Sequence, residues 1–293
     1  MHRTICLPEG MAPAFPPHQP LSALQEAKSN QTILTGTAVR CDRFRDLHVR
    51  FGGYEGVIPR NEAVHPDISG AQRDISILSL VGRSISFTIE SISFDGAGRP
   101  VITLSRRAAQ EKALNWLLAH AQVGCVLPAR VTHLADFGAF VDLGCGVISL
   151  VPLDNLSVAR VEHPSQRLHV GEDILVLVTR IDAEHSRFYL SHKELLGTWL
   201  QNAADFSPGD TVTGIVRAVR EYGIFVELTR NLSGLAQWKP EIAVGDGVSV
   251  CIQSIRPETH KIKLQIIQKL DQAGVPLPPR YFITDGIVTD WAY

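Results

Sequence analysis

Two stretches of this chain, Gly124 to Leu143 and Gly209 to Leu228, align with each other without a gap and close on the same signature. The first ends Phe137-Gly138-Ala139-Phe140-Val141-Asp142-Leu143, the second Tyr222-Gly223-Ile224-Phe225-Val226-Glu227-Leu228. An internal repeat restricts a fold more than a single motif does, because one supersecondary unit has to satisfy both copies. Within each signature, side chains alternate with the period of a strand. Ala139, Val141 and Leu143 point one way, as do Ile224, Val226 and Leu228, while Phe140 with Asp142, and Phe225 with Glu227, point the other. The pattern predicts an aromatic beside an acid on the wet side of a half-buried strand, with Phe137 or Tyr222 reaching the same side across a glycine turn. Two exposed aromatics side by side predict a stacking platform.

Each copy continues in the same way. A short third strand is predicted over Val147 to Val151 and over Ser233 to Ala236. Gly171-Glu172-Asp173 or Gly245-Asp246-Gly247 then opens a Val-rich strand, and a last strand runs from Arg187 to Ser191 or from Lys261 to Gln265. Five short strands separated by turn signals suggest a small Greek-key barrel of the OB type, which takes single-stranded nucleic acid on its strand 2 and 3 face. Residues 123–194 and 208–267 resemble S1-type RNA-binding domains, the module repeated in ribosomal protein S1. Leu7-Pro8-Glu9-Gly10, Arg40-Cys41-Asp42, Gly56-Val57-Ile58-Pro59-Arg60 and Leu104 to Gln110 extend the likeness over almost the whole chain. They resemble a bacterial group of short S1-like proteins of Gram-positive type.

Upstream of the two copies, Thr37 to Phe51 reads as strand-like up to the Gly52-Gly53 turn. Val57-Ile58, Ile75 to Leu80, Ser84 to Ile92 and Val101 to Leu104 complete a strand count that fits a first, divergent barrel. Where the others carry an aromatic pair it has Asp42 to Leu47 with Phe44 alone, so it is expected to lack the platform. The fold class expected is all-β, with three tandem five-stranded OB-fold (S1-type) barrels at 34–105, 123–194 and 206–270. Helical linkers are expected at 106–122, where Leu114, Leu117, Leu118 and Ala121 share one helical face, and at 195–205. Residues 1–33 are expected to be a flexible Pro-rich arm with a short helix, because prolines in 11–20 remove donors and fix the backbone. In the tail, 271–293, Val275 to Pro279 breaks the pattern and Asp285-Gly286 between two strand-like runs signals a hairpin. The short stretch between Trp238 and Gly245 leaves a face of the third barrel for that tail to cover.

The formal net charge of -2 provides no overall basic field, so local charge must carry any case for nucleic-acid binding. The five cysteines (Cys6, Cys41, Cys125, Cys145 and Cys251) are odd in number and form no Cys-x-x-Cys pair, which reads as free thiols in a reducing cytosol. No apolar run reaches the roughly 20 residues of a membrane span and no signal peptide is evident, so a cytoplasmic protein with no membrane partner is expected. Eleven histidines lie scattered without zinc spacing, so no metal site and no cofactor are expected. Gly-x-Ser-x-Gly, Walker and His-Glu-x-x-His motifs are absent, so no catalytic residue and no enzyme activity are expected.

The candidate RNA-binding residues are Phe137, Phe140, Tyr222 and Phe225, the alternative for these four being that they cap the barrel hydrophobically or pack on a linker helix. The S1 resemblance adds three further positions: a His after the third strand, an Asp before the last strand and an Arg opening it. Here Asp182 and Arg187 match, but Pro152 stands for the His. In the third repeat Gln237 takes the His position, Arg256 the Asp and Lys261 the Arg. Gln237 can hydrogen-bond a base edge, whereas Pro152 has no donor. Tyr222 follows Glu221, but Arg217, Arg220, Arg256, Lys261 and Lys263 offset that acid, whereas Asp136, Glu162, Glu172, Asp173 and Glu184 make the middle repeat acidic. The third repeat is therefore expected to bind more tightly. The partner expected is single-stranded RNA such as mRNA, in translation or mRNA handling, with the ribosome a second partner. The competing class is a protein-interaction scaffold whose degenerate barrels dock a ribosome or polymerase surface.

Overall fold

A computed structural model describes residues 6–64, 70–159, 161–273 and 278–291. Helix α1 (Leu21–Ser29) precedes the first barrel, which is built from β1 (Leu34–Cys41), β2 (Leu47–Phe51), β3 (Tyr54–Ile58), β4 (Ser84–Phe94) and β5 (Pro100–Ser105), with α2 (Gly70–Leu78) between β3 and β4. Helix α3 (Arg106–His120) leads to the middle barrel of β6 (Val126–Ala135), β7 (Gly138–Asp142), β8 (Ile148–Pro152), β9 (Asp173–Asp182) and β10 (Arg187–Ser191). After α4 (Trp199–Ala203) comes the third barrel, formed by β11 (Thr211–Arg220), β12 (Gly223–Thr229), β13 (Leu232–Ala236), β14 (Asp246–Arg256) and β15 (Lys261–Ala273).

All three sheets close with their strands in the same cyclic order, first-second-third-fifth-fourth. The third strand meets the fifth in parallel, and the other neighbours pair antiparallel. The chain is thus all-β, with three five-stranded OB-fold barrels in tandem. Alternation accounts for each core: Ala139 and Val141 pack with Val131, Val151, Val176 and Leu190 in the middle barrel, and Ile224 and Val226 take the same places in the third. Each first strand carries a bulge, at Ala38/Arg40, Val131/His133 and Val216/Ala218, which shifts the register beside the aromatic strand.

Helix α3 starts where the Ser105 hydroxyl caps the Ala108 N–H at 2.9 Å. It buries Leu117 in the middle core, with Leu114, Leu118 and Ala121 against it.

Several expectations are corrected. Ile75 to Leu80 is not a strand but the end of α2 and the turn after it; Ile77 and Leu80, three apart, are buried while Ile75 and Leu78 are exposed, which is helical spacing. The N-terminal arm is held down rather than free: the Phe15 N–H donates to Thr35 O, its ring packs near Phe51, Tyr54 donates to Gln19 O, and Cys6 is buried beside Cys145. The second linker is broken: a 3-10 turn over Lys193–Leu196 stops at Gly197, and a capping box between Thr198 and Gln201 starts α4. Of the proline break in the tail, residues 274–277 lie outside the described residues. The remaining tail forms no hairpin among the described residues. Ile287 instead bridges to Cys125, Phe282 N–H bonds Leu195 O, Leu175 N–H donates to the Tyr281 hydroxyl, and Trp291 donates to Glu194 O. The tail therefore covers the middle barrel and its linker, not the face near Trp238.

Candidate nucleic-acid interface

The two aromatic pairs take up one geometry. Phe137 and Phe140 stand edge to face with centroids 5.9 Å apart and planes at 85°. Tyr222 and Phe225 repeat this at 6.0 Å and 87°. Phe137 is 60% exposed and Tyr222 71%, while Phe140 and Phe225 are half-buried. The inner ring of each pair is thus half-buried among its neighbours, and the outer ring stands largely in solvent, where a base can reach it.

Cross-strand register places the other candidates. In the middle barrel Phe140 faces Leu150 on β8, and Leu150 faces Tyr189 on β10. Arg187 lies two residues before Tyr189, exposed and opposite Asp182. The Asp182 carboxylate accepts from the His185 N–H at 3.1 Å, and this bond, with the His185 ring beside it, holds its pKa below the usual carboxylate range. Asp182 thus shapes the β9–β10 turn that carries Arg187. Pro152 pairs with Gly138 at the Phe137 end of the face and offers no donor.

In the third barrel Phe225 faces Leu235, and Leu235 faces Lys263. Lys261, Lys263 and Gln237 are exposed, with Lys261 opposite Arg256. Arg217 does not join them. It occupies the β11 bulge and its guanidinium pairs with buried Glu227, leaving 14% of its side chain exposed. It is therefore a structural residue rather than a free cation. In the first barrel the matching line is His48, Val57 and Thr103. Phe44 is exposed there but has no ring partner among the described residues, and Arg43 lies over it at 4.7 Å.

The acids expected on the wet face are buried, Asp142 to 2% exposure and Glu227 to 1%. Each is covered by the unit that precedes its barrel. Asp142 accepts from the N–H groups of Glu9 (2.7 Å), Gly144 (2.8 Å) and Gly146 (2.9 Å), and Arg106 reaches Glu9 at 2.8 Å. Burial, reinforced by the charge of Glu9, pushes the Asp142 carboxyl up to about 7. Glu227 contacts Arg167, which comes from the middle barrel. Burial and the like charges of Arg217 and Arg230 pull the Arg167 guanidinium down to about 9, still protonated at neutral pH.

The expected charge contrast between the barrels is narrowed, although Lys261 and Lys263 stay exposed on the third. Glu162 pairs with Arg220, Glu172 with Arg230 and Asp173 with Arg130, so three of the middle repeat's acids already have cations, and Arg220 is spent on one of them. Sequence reading missed His133 and Tyr189 in the line through Phe140, and Trp238, which lines a shallow groove with Tyr222 and Arg220. The signal for Tyr189 was present: it lies two residues past Arg187, on the same strand face.

Among the described residues no group of His, Cys, Asp and Glu could hold a metal ion, and no helix is long and apolar enough to cross a membrane.

Residues 120–193 match the S1 RNA binding domain. The chain is 35% identical over 159 residues to the small ribosomal subunit protein bS1 homolog of Bacillus subtilis, a match covering 53% of this chain and 41% of the relative. It is 31% identical over 264 residues to small ribosomal subunit protein bS1 of Neisseria meningitidis serogroup B, covering 84% and 45% respectively. With bS1 of Streptococcus pneumoniae the figures are 30% over 236 residues, 75% and 56%. The chain thus spans about half the length of the curated relatives it matches. A solved multidomain protein with nucleic acid binding domains from Streptococcus pneumoniae aligns over 81% of this chain and 74% of its own, at 15% identity and a TM-score of 0.26. The middle barrel matches the S1 RNA binding domain, and the chain, three OB-fold barrels in tandem, is similar over most of its own length to small ribosomal subunit protein bS1.

Proposed function

We propose that this chain binds single-stranded RNA on the aromatic faces of its middle and third barrels, acts in translation or mRNA handling in the cytoplasm, and performs no catalysis. The observation that carries the reading is the recurrence of one edge-to-face aromatic pair, with its outer ring free, at the same place on two barrels. An outer ring standing in solvent at an energetic disadvantage gains by stacking a base, worth roughly 1–3 kcal/mol per base in single-strand binders. Arg187, Lys261 and Lys263 supply backbone contacts at the edges, Gln237 a base-edge donor, and Asp182 holds the turn beside Arg187. The bS1 likeness supports mRNA as the RNA and the ribosome as the place of work. Within the same reading the first barrel, with no aromatic line, serves as a docking unit for a ribosomal surface.

The test is a titration of labelled single-stranded RNA and its duplex at two salt concentrations. Single strands bind more tightly, because bases must be splayed to stack, and affinity falls only modestly with salt, because few unpaired cations line the faces. Preference for the duplex would remove the stacking account.

A further inference from the structure

The line of outward side chains through Phe140 continues past Leu150. Tyr189 is 36% exposed, and on its far side lies Arg180, its cross-strand neighbour on β9, with the guanidinium 3.7 Å from the ring centroid. At the other end, His133 stands 5.9 Å from Phe140. The middle barrel therefore carries His133, Phe140, Leu150, Tyr189 and Arg180 in one cross-strand row. The same row reads Ala218, Phe225, Leu235, Lys263 and Ser254 in the third barrel, and Arg40, His48, Val57, Thr103 and Ser91 in the first. Only the middle row has an aromatic and a planar cation stacked on each other beyond the third strand.

Among the described residues Arg180 is in no ion pair, unlike Arg130, Arg217, Arg220 and Arg230, so its charge is not spent on a carboxylate. Arg180 is itself exposed, with its guanidinium over the Tyr189 ring, so the side turned away from that ring is open to solvent. Its open face is planar, cationic and weakly hydrated, and guanidinium planes stack unpaired RNA bases as aromatic rings do, whereas an ammonium has no such face. Tyr189 lies two strands from Phe140, roughly 10 Å away at normal strand spacing, too far for one base to touch both.

We propose that Arg180 and Tyr189 form a second stacking site on the middle barrel, which takes a further unpaired nucleotide of the RNA strand held at Phe137 and Phe140. It rests on the reading that this face binds single-stranded RNA. It makes the middle barrel, not the third, the stronger binder, the reverse of what charge along the sequence implies.

The experiment measures binding of the full chain to fluorescent oligoadenylate and oligouridylate of about ten nucleotides. The variants are Tyr189→Ala, Tyr189→Phe, Arg180→Lys and Phe140→Ala, with circular dichroism to confirm folding. Tyr189→Ala weakens binding of both probes about five- to hundred-fold. Tyr189→Phe, which keeps the ring, recovers most of the affinity that Tyr189→Ala loses. Arg180→Lys, which keeps the charge and loses the plane, weakens binding without changing the salt dependence, and this conservative variant decides the matter if Tyr189→Ala fails to fold. Loss of affinity in Phe140→Ala, with parental affinity in Tyr189→Ala and Arg180→Lys, overturns the second site and leaves the RNA-binding reading intact. Absence of binding by the parent chain to either probe overturns both.

Discussion

At Asp142 and Glu227 the repeat puts an acid at the same place twice, and both times the preceding unit closes over it. Alternation correctly placed both side chains on the outer face of the barrel. What it could not show is that the outer face is covered there, because the covering groups, Glu9 and Arg167, are 133 and 60 residues distant in sequence and read as ordinary surface charges. For Asp142 the burial has a consequence in pH. Its folded pKa, about 7, lies above the ordinary carboxylate value of 3.8, so its contribution to stability is present below pH 4 and is lost as pH rises through 7. His192 works in the opposite sense. Buried between Leu175 O and the Tyr281 ring, it is held down to about 4 by burial, against an ordinary 6.5, so its contribution is present above 6.5 and is lost as pH falls through 4. The two slopes oppose each other between pH 4 and 6.5. Asp142→Asn keeps an acceptor for the N–H groups of Gly144 and Gly146 and removes the ionisation. Its thermal midpoint is expected to drop more between pH 7.5 and pH 5 than the parent's. A variant whose pH dependence matched the parent's would show that Asp142 does not titrate in this range.

Among elements, those whose period is unmistakable were legible: the two aromatic strands, the Val-rich strands and α3 with its apolar face. Ile75 to Leu80 was not, since a short apolar run fits strand and helix alike, and what decides is the crossing from β3 to β4. The linker after β10 was legible only as helical. Gly197 interrupts it at φ 80°, a left-handed conformation that costs other residues, and the Phe282 ring packs where a side chain would be, 2.5 Å from the position of a Cβ. The tail strand was misread because Asp285-Gly286 specifies a local turn but not the partner, and the partner is Cys125. Gly197→Ala is expected to destabilise the chain by about 1–3 kcal/mol from backbone strain, with more from the collision. Urea unfolding of Gly197→Ala, Phe282→Ala and the double variant separates the two, because removing the ring relieves the collision and leaves the strain. If Gly197→Ala unfolds at the parent's midpoint, the linker does not need this conformation.

At the scale of the molecule, the barrels are joined through buried polar contacts rather than by linker helices alone. Between the first and middle barrels, Glu9 pairs with Arg106 and Gln110 donates to Gly146 O at 2.8 Å. Between the middle and third, Glu172 pairs with Arg230 at 2.7 Å, Ser157 donates to Arg230 O at 2.7 Å, and Asn231 donates to Gly197 O at 2.7 Å. Removing one member of a buried charged pair typically costs about 3–5 kcal/mol, so such junctions do not open casually. The two aromatic faces are then held at one separation, and a strand that binds both gains the effective concentration of an intramolecular step only once it is long enough to reach. Affinity measured against RNA length, from about 4 to about 40 nucleotides, should therefore rise to a plateau and then step up again, since one barrel of this type covers about 4–16 nucleotides. The first plateau belongs to the middle barrel, with its longer row of stacking groups, so Phe137→Ala with Phe140→Ala lowers it. Tyr222→Ala with Phe225→Ala leaves that plateau where it was and abolishes the step. A smooth rise with length in the parent would mean that the faces move independently. A first plateau lowered by the Tyr222 and Phe225 variant, and not by the Phe137 and Phe140 one, would return the leading role to the third barrel.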